Sequence, residues 1–169
     1  MRKRLYIFAL MVLAACSASA QLPKTLLKDI GGNAVYTDTL SNDGKPIIID
    51  FFATWCKPCN RELDAISEVF EDWVEETGVR MVIVSNDQAH NTHKVKPLVD
   101  NHGWEFGTVL LDPNYEFSKA LGNSSGVMPF TVIVDGSGKI VYRHSGYTDG
   151  AETELIEKVR ELVKGEKVK

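Results

Sequence analysis

The sequence predicts an α/β sandwich, in which helices flank a central mixed β-sheet. Buried-type strands alternate with amphipathic helical segments along the chain, and this order is typical of that fold class. The 169 residues, 44% hydrophobic and 25% charged, suffice for one domain with one hydrophobic core.

The first half of the domain predicts a hairpin, two strands and a long helix. Residues 26–40 predict a small β-hairpin with its turn at residues 31–33, Gly-Gly-Asn. Residues 46–52, PIIIDFF, predict a strand buried on both faces, and residues 80–86 predict the next strand. Between them, residues 60–76 predict a helix with one apolar stripe. That stripe consists of Leu63, Ile66, Phe70, Trp73 and Val74.

The second half predicts further strands and helices in alternation. Residues 93–103 predict an irregular helical segment containing Pro97, residues 108–112 a strand, and the sequence EFSKALG a short helix. In residues 126–146, two strands flank the hairpin signal Asp-Gly-Ser-Gly at 135–138. A C-terminal helix is predicted from a second apolar stripe. Its members are Leu155, Ile156, Val159, Leu162 and Val163.

The N-terminal sequence MRKRLYIFALMVLAACSASAQ has the pattern of a secretory signal: basic residues, an apolar run and small residues. The run is too short for a stable membrane span. Ala18-Ser19-Ala20 predicts cleavage before Gln21 and a signal peptide of residues 1–20. The sequence LAAC resembles a lipobox and predicts instead a lipoprotein signal of residues 1–15 with a lipidated Cys16. Either cleavage leaves one cysteine pair in the mature chain.

The charge of the exported chain argues against nucleic acid as a partner. Loss of the signal removes three positive charges and no negative ones, which changes the formal net charge from −4 to −7. Nucleic-acid-binding domains usually carry a basic patch instead, and no cluster of Lys and Arg is present.

Cys56 and Cys59 form a C-x-x-C motif where a predicted strand is followed by a helix. Structural disulfides of exported proteins usually come in sets, whereas this chain has one pair. A zinc site needs four ligands, and the histidines at positions 90, 93, 102 and 144 have no paired spacing. The sequence therefore favours a redox pair over a metal site and predicts no metal and no cofactor. We expect His90 and His93 to face solvent.

Three features together resemble the thioredoxin fold: IIIDFFATWCKPC, the Met128-Pro129 step before FTVIVD, and the hairpin that follows. The signal, the hairpin at 26–40 and an additional segment at about 86–113 resemble the TlpA/ResA/CcmG group of exported bacterial thiol-disulfide oxidoreductases. The resemblance covers about residues 24–165, the predicted thioredoxin-like domain. It implies a periplasmic or cell-envelope protein, either soluble or lipid-anchored through Cys16.

The two cysteines have different predicted roles. Cys56 precedes a helix, whose unpaired N–H groups and positive dipole end stabilise a thiolate, so we expect it to be the exposed nucleophile. Cys59 lies one turn later, more buried, and suits a resolving thiol that attacks the mixed disulfide. Pro58 lacks a backbone N–H group, and in the first turn of a helix that group would have no intrahelical partner.

Two acids near the cysteines are further candidates. Asp50 interrupts an apolar strand, and the resemblance implies that it exchanges a proton with Cys59. The alternative is that Asp50 caps a turn or pairs with a lysine. Glu62 follows Cys59 by three residues, and the resemblance implies that it influences the acidity of the cysteines. Its alternative is a solvated glutamate in the first helical turn.

The predicted substrate surface consists of Trp55, Met128 and Pro129. Trp55 flanks the nucleophile and is expected to shield its sulfur and to shape the contact surface. The resemblance implies a cis bond before Pro129, with this ring against the disulfide and the backbone of Met128 pairing with an extended substrate peptide.

The resemblance implies a protein-disulfide oxidoreductase, and the acids Asp50 and Glu62, if ionised, favour a reductant. It implies disulfide-containing envelope proteins as partners, including apocytochrome c, and a membrane thiol electron donor. Cytochrome c maturation and general disulfide reduction remain as roles. One alternative is a peroxiredoxin-like peroxidase, although its P-x-x-x-T/S-x-x-C pattern is absent. The others are a copper- or metal-binding protein of thioredoxin fold and a non-enzymatic lipoprotein module.

Overall fold

The computed structural model describes residues 22–165 and residue 168. The predicted signal sequence, with both cleavage alternatives and Cys16, lies outside the described residues. No helix within the described part of the chain is long and apolar enough to cross a membrane.

Seven strands form one mixed sheet, which confirms the predicted fold class. The strands are β1 (Leu26–Asp29), β2 (Ala34–Tyr36), β3 (Ile47–Phe52), β4 (Arg80–Ser85), β5 (Gly107–Leu111), β6 (Phe130–Val134) and β7 (Ile140–Ser145). Their spatial order is β2-β1-β5-β4-β3-β6-β7. Strands β3, β4 and β5 are parallel, and all other neighbouring pairs are antiparallel. The N-terminal hairpin therefore joins the sheet through β5, which belongs to the additional segment.

The helices are α1 (Lys57–Thr77), α2 (Val95–His102), α3 (Glu116–Ala120) and α4 (Glu152–Val163). Helix α1 begins three residues before the predicted start and ends at Gly78, whose φ of 68° is left-handed. The predicted irregular segment is a 3-10 helix, Ala89–Lys94, followed by α2. Pro97 lies in the first turn of α2, where its missing N–H group has no intrahelical partner.

The sheet separates two hydrophobic clusters. Ile48 and Phe52 of β3 pack in one cluster with α1, α2 and α4, whereas Ile49 and Phe51 pack in the other with α3. Every residue of β3 is buried, as predicted for a strand covered on both faces. This strand lies inside the sheet, and the cysteine motif follows its C-terminal end.

The prediction of burial is wrong for one residue in each of the two apolar stripes. Val74 in α1 is 42% exposed, and Val163 in α4 is 50% exposed. Each follows a residue that packs on the core, and one step along a helix turns the side chain by roughly 100°. The neighbours Trp73 and Leu162 therefore occupy the inward position.

Candidate active site

The two cysteines of the C-x-x-C motif form a disulfide at the start of α1, with their Cα atoms 5.3 Å apart. Cys56 is the N-cap residue, and the N–H group of Cys59 donates to its Sγ atom over 3.3 Å. Pro58 stands within the first turn, as expected. The sulfur of Cys56 thus lies at the positive end of a 21-residue helix, where a thiolate is stabilised.

The surroundings of the disulfide differ on its two sides. Cys56 is 5% exposed and Cys59 is fully buried. Cys56 is therefore the more accessible residue of the pair, although in the oxidised protein it is largely covered rather than open to solvent. Trp55 is 64% exposed and presents a large aromatic surface next to Cys56.

Asp50 lies in the middle of β3 and is completely buried. Thr131 stands opposite Asp50 in β6, and its hydroxyl donates to Asp50 Oδ1 over 3.0 Å. Burial raises the pKa of Asp50 to about 7, against the lowering effect of this hydrogen bond. No ion pair among the described residues includes Asp50, so the lysine alternative is wrong.

Glu62 is 1% exposed, so the alternative of a solvated first-turn glutamate is wrong. Burial and the charge of Asp50 raise the pKa of Glu62 to about 10. Glu62 Oε2 and Asp50 Oδ2 are buried oxygens without a hydrogen-bond partner among the described residues. At neutral pH Glu62 therefore keeps its proton. It does not supply the negative charge that was expected to favour a reductant.

The Met128–Pro129 peptide bond is cis, as the resemblance implied. Pro129 is buried directly before β6, and its carbonyl accepts the N–H group of Gly146 over 2.8 Å. Met128 is half-buried and packs against the hydrophobic cluster that contains both cysteines. Strand β6 therefore brings this step and Thr131 beside the β3 strand that leads to the cysteines.

Asp87 is a buried residue that the sequence argument missed. Its carboxylate accepts hydrogen bonds from the N–H group of Thr54 over 2.8 Å and from the Thr54 hydroxyl over 2.7 Å. The hydroxyl of Ser85 donates to the same carboxylate over 2.9 Å. Asp87 therefore fixes the loop that precedes Trp55 and Cys56. Its signal in the sequence is the polar triplet Ser-Asn-Asp at the end of an apolar strand.

Two of the histidines lie at the surface, and a third contacts an acidic side chain. His90 and His93 are exposed, as predicted. His102 contacts Asp64 Oδ1 through Nδ1 at 2.8 Å, and Trp104 Nε1 donates to the same oxygen over 2.9 Å. Within the described residues, no group of three or more His, Cys, Asp or Glu side chains is arranged to hold a metal ion.

A thioredoxin-like fold with a disulfide at the start of the helix that follows a central strand is the arrangement expected of a disulfide oxidoreductase. The chain belongs to the Redoxin family, whose sequence model matches residues 17–159.

Relatives from several bacteria support the same class. Thiol-disulfide oxidoreductase ResA of Halalkalibacterium halodurans is 28% identical over 149 residues, which are 88% of this chain and 78% of the relative. Thiol:disulfide interchange protein DsbE of Haemophilus influenzae is 30% identical over 125 residues, 74% of this chain and 64% of the relative. The solution structure of a thioredoxin-like protein from Porphyromonas gingivalis has 59% identity and a TM-score of 0.74. That match covers 86% of this chain and 93% of the other. The predicted fold and the predicted enzyme class are confirmed.

Proposed function

We propose that the protein reduces disulfides of other proteins in the bacterial cell envelope through Cys56 and Cys59. The observation that carries this proposal is the disulfide at the start of α1, with its more accessible cysteine, Cys56, next to the exposed Trp55. A thiol at a helix N-terminus is acidic and nucleophilic, and a second buried thiol one turn away can resolve the mixed disulfide.

The reaction has two exchange steps. In the first, the Cys56 thiolate attacks a substrate disulfide, a bond forms between Cys56 Sγ and one substrate sulfur, and the other substrate sulfur leaves and takes a proton. In the second, Cys59 gives up its proton and attacks Cys56 Sγ, which releases the second substrate thiol. The substrate gains two electrons, and the protein keeps the Cys56–Cys59 disulfide until a membrane thiol donor reduces it again.

Asp50 is the proposed acceptor of the Cys59 proton. A general base works best when its pKa lies near the working pH, and burial raises the pKa of Asp50 to about 7. Glu62, which retains its proton at neutral pH, adds no second negative charge to the buried site. The proposal of a reductant therefore depends on Asp50 and on the resemblance, not on an ionised Glu62.

The proposed partners follow from the similar proteins. ResA is named a thiol-disulfide oxidoreductase, and DsbE and the HelX protein of Rhodobacter capsulatus are named thiol:disulfide interchange proteins. By the stated resemblance we propose disulfide-containing envelope proteins as substrates, with cytochrome c maturation or general disulfide reduction as the role. Trp55, Met128 and Pro129 form the proposed substrate surface. Export requires removal of the signal, and mass spectrometry of the mature N-terminus will distinguish Gln21 from lipidated Cys16.

The variant Cys59→Ser tests the proposal because it removes the resolving thiol and leaves Cys56 able to attack. We expect envelope proteins to accumulate as adducts that a reducing agent releases. Trapped apocytochromes would indicate cytochrome c maturation, and varied multi-cysteine proteins would indicate general reduction. Cys56→Ser is the matched control and should trap far less, since its remaining thiol is buried. An absence of adducts while the wild type cycles would refute the exchange mechanism.

A further inference from the structure

An open groove of about 580 Å³ lies beside the active-site loop. It runs between that loop and the start of α2, and we call it the Trp55 groove. The groove is lined mainly by Trp55, Asn91, Lys94, Pro97, Leu98 and Asn101. Because Trp55 directly precedes Cys56, a substrate that reaches this sulfur is also next to the groove.

We propose that the Trp55 groove binds the segment of the substrate protein around its disulfide and selects segments with an acidic residue near the reacting cysteine. This inference rests on the proposed function and names the class of substrate.

The groove has an exposed apolar part. Trp55 is 64% exposed, Pro97 is exposed and Leu98 is half-buried. Exposed tryptophans are frequent anchors of protein–protein contacts because they bury a large area with few rotatable bonds. The open ring of Trp55 thus offers a peptide an apolar contact beside the reacting sulfur.

The charged part of the groove is cationic. Between Asp87 and Asp100 the sequence contains no acidic residue. Lys96 is paired with Asp100 over 2.8 Å, whereas Lys94 takes part in no ion pair of the described residues. The groove therefore keeps one exposed, uncompensated ammonium group in a chain with a net charge of −4.

The other charges near the active site are mixed. Lys57, two residues after Trp55, is a second exposed cation without an ion pair among the described residues. By contrast, Arg61 is paired with Asp149 over 3.1 Å, and Glu152 lies close enough to raise the pKa of Glu62. Complementary charge at the edge of an interface mainly affects association rate and selectivity. The uncompensated cations therefore favour an acidic segment on the Trp55 side.

The test uses the reduced protein and three disulfide peptides that differ only in the residues flanking their cysteines, which are Glu, Gln or Lys. Stopped-flow fluorescence gives the second-order rate constant for each peptide. We expect the Glu peptide to react about fivefold faster than the Gln peptide, the upper range for an exposed ion pair, and the Lys peptide to react more slowly. The preference should shrink in roughly 0.5 M salt, where charges are screened over a few ångströms.

The variant Lys94→Glu should remove or reverse the preference. Lys139→Glu is the matched control, with the same charge change in the turn between β6 and β7, at the opposite end of β6 from Pro129. It should keep the wild-type preference. Equal rates for the three peptides, or equal effects of the two variants, would overturn the inference while leaving thiol exchange intact. Failure of the wild type to react with any peptide and with a small uncharged disulfide would overturn the proposed function, and this inference with it.

Discussion

Replacing Glu62 with glutamine should flatten the dependence of stability on pH above neutrality. Glu62 is 1% exposed, and burial together with the charge of Asp50 raises its pKa from 4.5 to about 10. The folded protein therefore holds this proton at pH values where the unfolded chain has released it. Raising the pH from 4.5 towards 10 favours the unfolded state, so the stability contribution is complete below pH 4.5 and is lost as the pH rises.

The magnitude follows from the size of the pKa difference. Each pH unit between the unfolded and folded pKa values costs up to about 1.4 kcal/mol, which gives at most about 3.5 kcal/mol at pH 7. Asp50 contributes in the same direction only up to its folded pKa of about 7. The window from about pH 7 to pH 9 therefore isolates Glu62, with an expected loss of roughly 1 kcal/mol per pH unit in the wild type.

Guanidinium unfolding of the oxidised protein at several pH values measures this loss. Glutamine is neutral throughout, so Glu62→Gln should have a nearly constant free energy of unfolding from pH 7 to pH 9. A fixed cost of fitting the amide shifts the whole curve without changing its slope. Glu68→Gln, at an exposed position of the same helix, should keep the wild-type slope. Parallel curves for the wild type and Glu62→Gln would refute the reasoning.

Three further experiments test the site. Asp50→Asn should slow the release of mixed disulfides in stopped-flow assays, because an amide cannot accept the proton of Cys59; an unchanged rate would leave Asp50 structural. In the reduced protein, alkylation at mildly acidic pH should label Cys56 well before Cys59, and peptide mapping that finds the reverse order would exchange their roles. Asp87→Asn should lower the free energy of unfolding by about 2 kcal/mol, because the carboxylate that binds Thr54 loses an acceptor. Denaturation curves that coincide with the wild type would contradict this view of the loop.

The order of the elements and the position of the cysteine pair could be predicted from local patterns. The β-branched run before Asp50 indicates a covered strand, and the apolar spacing after Cys59 indicates a helix. Both signals depend on residues a few positions apart, so the strand and the helix can be predicted without knowledge of the fold. The burial of Glu62 could also have been predicted from a local pattern, since Glu62 stands four residues before the buried Ile66.

The sequence by itself determined that Cys56 lies between a strand and the start of a helix, with Cys59 one turn later. Only the tertiary structure decided what surrounds the pair. Thr131 reaches Asp50 from 81 residues away, and Asp87 holds Thr54 across 33 residues. Such contacts depend on strand register, which periodicity along one segment does not encode. Register also sets burial, and burial sets the protonation of the acids, because the cost of a buried charge depends on all that excludes water from it.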